Sequence, residues 1–241
     1  MRFLAHRMQS QNGAVTKEQI MSVSDNIQVI QHEIKRMCDH VGVPEARPRL
    51  IAVSKVQPKE RVMAALEAGH REFGENRVQE AEERWTDLKA EFPDVRLSLI
   101  GSLQTNKAAK AVELFDEIQS VDRVKLARAL AKEMDKQGKN LPVYLQVNTG
   151  AEEQKGGVLS GDLEALHQEC LGLGLNVVGL MCIPPAGDDP SLHFALLKKF
   201  AKNLGLSKLS MGMSGDYALA AAMGATDIRV GTAIFGERDY R

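Results

Sequence analysis

A closed (β/α)8 barrel of the TIM type, with one extra helix ahead of its first strand, is the fold this sequence predicts. Three observations predict it. From Leu50 onward short apolar runs alternate with helical stretches. The runs number eight, near 50–54, 71–73, 96–100, 117–120, 142–148, 177–181, 208–211 and 227–230. They are continuously apolar, as parallel strands covered on both faces must be. Strand–helix alternation requires parallel pairing through crossover helices, and eight such units in 241 residues suit a closed barrel better than an open α/β sheet.

Residues 1–15 show no apolar period and read as a mobile tail. Thr16-Lys17-Glu18-Gln19 has capping-box spacing, a hydroxyl at N-cap and an amide at N3. Ile20, Val23, Ile27, Ile30, Ile34, Met37 and Val41 then recur in steps of three and four, one helical stripe ending at Gly42 and Pro44. As a coiled-coil seam the stripe would make a dimer. About three heptads is marginal for that, so packing on the barrel, in a monomer, is the expectation. Helical stretches follow over Lys59 to Ala68, Arg77 to Glu91, Arg123 to Lys136, Asp162 to Leu171, Ser191 to Leu204 and Tyr217 to Met223. Gly150 to Gly161 reads as a mobile loop after the fifth strand. With no linker or composition shift, residues 16–241 form one domain.

Lys plus Arg number 31 against 32 Asp plus Glu, so the basic excess that phosphate-backbone binding needs is missing and no nucleic-acid partner is expected. Cys38, Cys170 and Cys182 are odd in number and lack C-x-x-C spacing, which argues against a disulfide framework and fits a reducing cytoplasm. No apolar run approaches the roughly 20 residues that span a bilayer, and His6 and Arg7 interrupt the start before an export signal could form. The six histidines are scattered, so no metal site is expected. His32 and His40, on the first helix, read as solvated, and Trp85 as packing. Phosphate-loop, dinucleotide and zinc-protease motifs are missing.

Barrel active sites lie at the C-terminal ends of the strands, where three places stand out. Lys55 follows directly on Leu50-Ile51-Ala52-Val53-Ser54, with the parity of Ile51 and Val53. It is either a solvated strand-end lysine or a nucleophilic amine whose usual pKa of about 10.4 burial would lower. Leu209 to Asp216 passes through Gly212 and Gly215 into a helix. Ser214 or Asp216 could simply cap that helix, or the amides and hydroxyl could cradle an anion. In Asp227 to Gly236, Ile228 and Val230 share one face, which leaves Arg229 and Gly231 on the other, before Thr232 opens a final turn. Arg229 is alternatively a surface ion-pair residue. Barrel closure makes these places neighbours, because strands eight and one lie side by side at about 4.8 Å. An amine then stands one or two strand spacings from a phosphate-sized site, the reach of a pyridoxal ring.

The sequence resembles the YggS/PROSC pyridoxal phosphate homeostasis proteins, whose barrel is similar to the N-terminal domain of alanine racemase. The resemblance runs from about residue 25 to Gly236. It rests on Ala52-Val53-Ser54-Lys55, Phe73 to Glu80 (FGENRVQE), Ile100 to Lys107 (IGSLQTNK), Gln146-Val147-Asn148, Leu209 to Ser214 (LSMGMS) and Arg229 to Gly236 (RVGTAIFG). It implies pyridoxal 5′-phosphate (PLP) held on Lys55 as an aldimine, with the phosphate bound by Ser214, Gly231 and Thr232. Arg229 would face the pyridine nitrogen and Asn76 would line the site. Two departures stand out: Val56-Gln57-Pro58 replaces the family's frequent Thr-Lys-Pro, and Ser98 stands where a histidine often precedes Ile-Gly. Lys155 matches another family lysine, as a second docking point or a solvated loop residue.

An arginine beside the ring nitrogen discourages its protonation and weakens carbanion chemistry. Racemases of similar barrel type draw a second acid–base group from a further β domain, which this chain is not expected to supply. The expected function is therefore to bind, buffer and hand over PLP, touching PLP-dependent apo-enzymes transiently, without substantial amino-acid turnover. A single-domain PLP racemase or lyase is the alternative. A cofactor-free Schiff-base aldolase is a more distant one.

Overall fold

The computed structural model describes residues 22–43 and 47–237. The tail over 1–15, the Thr16–Gln19 capping box, Ile20 and Pro44 lie outside the described residues. The first helix, α1 (Val23–His40), opens on a capping box at Ser22. The Ser22 hydroxyl accepts from the Asp25 amide, and the Asp25 carboxylate accepts from the Ser22 amide, both at 3.1 Å. Ile27, Ile30, Ile34 and Cys38 are its buried stripe. The predicted stripe continues to Val41, but the chain leaves helical geometry there and Val41 is exposed. His32 and His40 are exposed as well.

Eight parallel strands close into a barrel: β1 (Arg49–Val53), β2 (Glu72–Glu75), β3 (Arg96–Leu99), β4 (Glu117–Val121), β5 (Pro142–Asn148), β7 (Asn176–Cys182), β8 (Lys208–Ser210) and β9 (Asp227–Val230). They follow the predicted runs closely. β1 pairs with both β2 and β9, and β4 with β5, so the ring has no open edge. A two-residue strand, β6 (Val158–Leu159), pairs with the end of β5 inside the segment expected as a loop. The crossover helices are α2 (Lys59–Glu67), α3 (Val78–Glu91), α4 (Ala108–Leu114), α5 (Val124–Gln137), α6 (Leu163–Gly172), α7 (Pro190–Asn203) and α8 (Tyr217–Ala222), with α9 (Thr232–Phe235) closing the round. The sequence reading named no α4, because seven residues are too short to display a period.

Helix α1 covers the barrel beside α8 and α9. The Asn26 side-chain amide donates to Ile234 O at 2.9 Å, the Tyr217 hydroxyl donates to Glu33, and the stripe joins the common core. This is the packed arrangement the sequence favoured over a seam. Phe73 of β2 and Trp85 of α3 pack with ring centroids 4.8 Å apart, both fully buried. At Gly179 the chains of β7 and β8 approach so closely that a Cβ would lie 2.3 Å from Lys208 O.

The inside of the barrel is not continuously apolar. Arg49 opens β1 and reaches three carboxylates: Glu117 (2.7 and 2.8 Å), Asp227 (2.7 Å from Nε) and Glu72 (3.2 Å). The Tyr144 hydroxyl donates to the other Asp227 oxygen at 2.9 Å. Burial disfavours the Arg49 charge, yet Glu117 and Asp227 more than offset this and hold its pKa above the usual value. Burial raises Glu72, against the pull of Arg49.

All three cysteines are buried and unbridged. Burial raises Cys170 to about 11 and Cys182 to about 12. The thiol is a poor nucleophile while protonated, so a thiol reagent at mildly alkaline pH is expected to label none of them in the native protein and all three after denaturation. Native-state labelling measured by mass would contradict this burial.

Candidate ligand site at the mouth of the barrel

The strand register builds the site. Ala52 of β1 pairs with Val230 of β9, so Lys55 and Thr232 leave adjacent strand ends on the same side of the barrel. A Cβ placed on Gly231 would lie 3.4 Å from Val53 O, which measures how closely the two ends approach. Between them opens a cavity of about 470 Å³, in the size range of small-molecule sites. Lys55, Asn76, Ser214, Arg229, Gly231 and Thr232 all line it, so the structure brings these six together.

Its charge is one-sided. Lys55, Lys155 and Arg229 line the cavity, and among the described residues no Asp or Glu does. Arg229 is 3% exposed, which excludes the surface ion pair considered from sequence. Its guanidinium donates to Ser210 Oγ and to Cys182 O (2.8 Å), both uncharged acceptors. Burial pushes its pKa down, with the charges of Asp227 and Asp216 opposing. A guanidinium stays charged throughout the ordinary pH range, so the site holds a fixed cation. Behind it a row of hydrogen bonds crosses the barrel. The Ser210 hydroxyl donates to Gln119 Oε1, and Gln119 Nε2 donates to Glu117, each at 2.6 Å.

Ser214 does not cap the helix that follows it. Its hydroxyl oxygen accepts from the Gly231 and Ala233 amides at 3.3 Å, at the start of α9, while Asp216 folds the intervening turn by accepting from the Met213 amide at 2.6 Å. The loops after β8 and β9 are therefore tied together where amides and a hydroxyl converge, an arrangement suited to an anion. Asn76 reaches the wall because Gly101 has no side chain, since a Cβ there would lie 2.3 Å from Asn76 O.

Ser102, Gln146 and Asn148, which carry no predicted role, also line the cavity. Their signal was position, directly after β3 or at the end of β5. Gln146 Nε2 donates to Gly156 O at 3.0 Å and Asn148 Nδ2 to Glu152 O at 2.8 Å, folding the loop after β5 against the mouth. Lys155, in that loop, pairs with Glu152 at 2.6 Å and donates to Pro184 O at 3.1 Å. Ser98, at the departure before Ile-Gly, donates to Glu117 at 2.7 Å.

The turn that carries Lys55 is held from outside the cavity. Val56 has φ +57°, a left-handed conformation that is a real outlier for a β-branched residue and costs about 1–3 kcal/mol. On either side of it, Arg84 of α3 takes two carbonyls, Ser54 O at 2.7 Å and Gln57 O at 2.8 Å. Arg84 in turn meets Glu75 Oε1 at 2.6 Å, which also accepts from the Ser54 hydroxyl (2.7 Å) and from Trp85 Nε1 (3.0 Å). Trp85 thus does more than pack.

Comparison with known proteins is consistent with this geometry. The family model described as "Alanine racemase, N-terminal domain" matches residues 26–239. A pyridoxal phosphate homeostasis protein of Pseudomonas aeruginosa is 40% identical over 227 residues, 91% of this chain and 97% of that one. The mouse protein of the same name is 37% identical, covering 82% of this chain and 80% of its own. PipY of Synechococcus elongatus, solved with PLP bound, superimposes with a TM-score of 0.78 at 37% identity, over 89% of this chain and 100% of that one.

Proposed function

Because this chain belongs to the pyridoxal phosphate homeostasis proteins, within the alanine racemase N-terminal-domain family, we propose that its cavity binds PLP and that the protein buffers and hands over this cofactor. The observation that carries the reading is the convergence of one strand-end lysine, one buried arginine and the Ser214–Gly231–Thr232 donors on a cavity that no Asp or Glu among the described residues lines. The donor set fits the group: cations and amides for a phosphate, an amine for an aldehyde. When bound, the cofactor supplies an aldehyde and a phosphate dianion. Lys55 provides the amine. The Ser214 hydroxyl and the backbone at Gly231 and Thr232 would hold the anion, Asn76 would bound the ring, and Arg229 would stand toward the ring nitrogen.

The fixed Arg229 cation would disfavour a proton on a ring nitrogen held beside it, which would suit storage better than turnover. No helix among the described residues is long and apolar enough to cross a membrane. Three buried, unbridged cysteines support a cytoplasmic location. A monomer that meets apo-enzymes transiently completes the reading, supported by the burial of the α1 stripe.

The test is to add PLP to purified protein. A visible absorbance band that borohydride fixes onto the peptide containing Lys55 is expected, with no racemisation of single-enantiomer amino acids at enzyme-like rates. Racemisation or elimination at such rates would make the protein an enzyme. A protein that stays colourless would point to the aldolase alternative.

A further inference from the structure

We propose that Arg84, which does not line the cavity, is the positioning residue for Lys55, acting by clamping the two carbonyls that flank the strained turn at Val56. The proposal rests on the reading of Lys55 as the cofactor amine. Lys55 is joined to β1 through Ser54 alone, so its direction depends on how the chain turns next. Valine prefers negative φ, and a turn free to choose would relax. Arg84 opposes that relaxation at both ends, because a planar guanidinium bonded to Ser54 O and Gln57 O reinforces the span that the Gln57 amide closes by donating to Ser54 O at 3.1 Å. Glu75 anchors the guanidinium, fully buried, and pins the Ser54 hydroxyl as well. The Gln57 side chain, 3.2 Å from Arg61, ties the far end of the turn to α2. A side chain that must meet a reacting carbon loses function when its support is looser by about 1 Å.

Arg84 cannot be tested alone, because truncating it leaves the Glu75 carboxylate buried without its cation. The Arg84→Met, Glu75→Gln pair removes both charges and leaves an acceptor for Ser54 and Trp85. We expect it to fold, as judged by circular dichroism, but to bind PLP about 10- to 100-fold more weakly than wild type. Adding Val56→Gly should recover part of that loss, since glycine takes positive φ without strain and the turn then needs less restraint. In the unloaded protein, labelling of Lys55 by trinitrobenzenesulfonate, followed by peptide mass mapping, should quicken in the clamp variant and slow again with Val56→Gly.

Unchanged binding and labelling in a folded clamp variant would overturn the proposal, as would a loss that Val56→Gly does not alter. If wild type takes up no PLP, the cofactor reading fails. The labelling series then still decides the positioning role.

Discussion

Replacing Lys55 with alanine is expected to abolish the visible band formed with PLP and to weaken retention of the cofactor by about two orders of magnitude, or about 2.8 kcal/mol. The Ser214 hydroxyl, the Gly231 and Thr232 backbone and the Arg229 cation remain in such a variant, so residual binding should survive and phosphate should compete with it. Lys55→Arg separates charge from chemistry, because it keeps a cation at the mouth but offers no amine for an aldehyde. It should bind as an anion site does, without a band that borohydride can fix. Equilibrium dialysis and absorbance on the three proteins measure this. A band of full intensity in Lys55→Ala would mean that another amine takes the aldehyde, and Lys155, on the same cavity wall, would be the first to examine.

Replacing Arg49 with alanine should cost about 3–5 kcal/mol of folding stability, because a partly buried cation is removed from between carboxylates that stay buried. Glu117 and Asp227 are almost fully buried and Glu72 stands at the same end of the barrel, so the variant turns an ion cluster into mutual repulsion. The deficit has a definite pH dependence. Burial already raises Glu72 and Arg49 is the largest charge opposing it, so with the cation gone the folded state holds a proton there more tightly than the unfolded one, and stability should rise as pH falls. Urea midpoints near pH 8 and near pH 5 measure it. A deficit that grows on acidification would mean that lost packing, not repulsion, sets the loss.

The barrel was legible because each strand is an apolar run between helical stretches, and parallel pairing allows few arrangements of eight such units. Lys55, Ser214 and Arg229 were legible for a related reason, since the fold itself names the ends of its strands as the place for chemistry. Three things were hidden. Arg49, Glu72, Glu117 and Asp227 open their strands, where polar residues look like ordinary solvent-facing ends, and only closure turns them toward one another. Arg84 takes main-chain oxygens, for which no side-chain pattern gives a signal. Val56 was visible as a departure from the family's sequence, but its left-handed backbone was not, because valine is the last residue such a conformation would suggest.

The row from Glu117 through Gln119 and Ser210 to Arg229 has a polarity, because each group can point only one way. Glu117 turns the amide nitrogen of Gln119 toward itself, the amide oxygen then draws the Ser210 proton, and the Ser210 lone pairs are left for Arg229. No link can be reversed alone without setting donor against donor or acceptor against acceptor. The floor of the barrel and the wall of its cavity are therefore coupled, and an exchange at Gln119 should be tolerated only when its neighbours change with it.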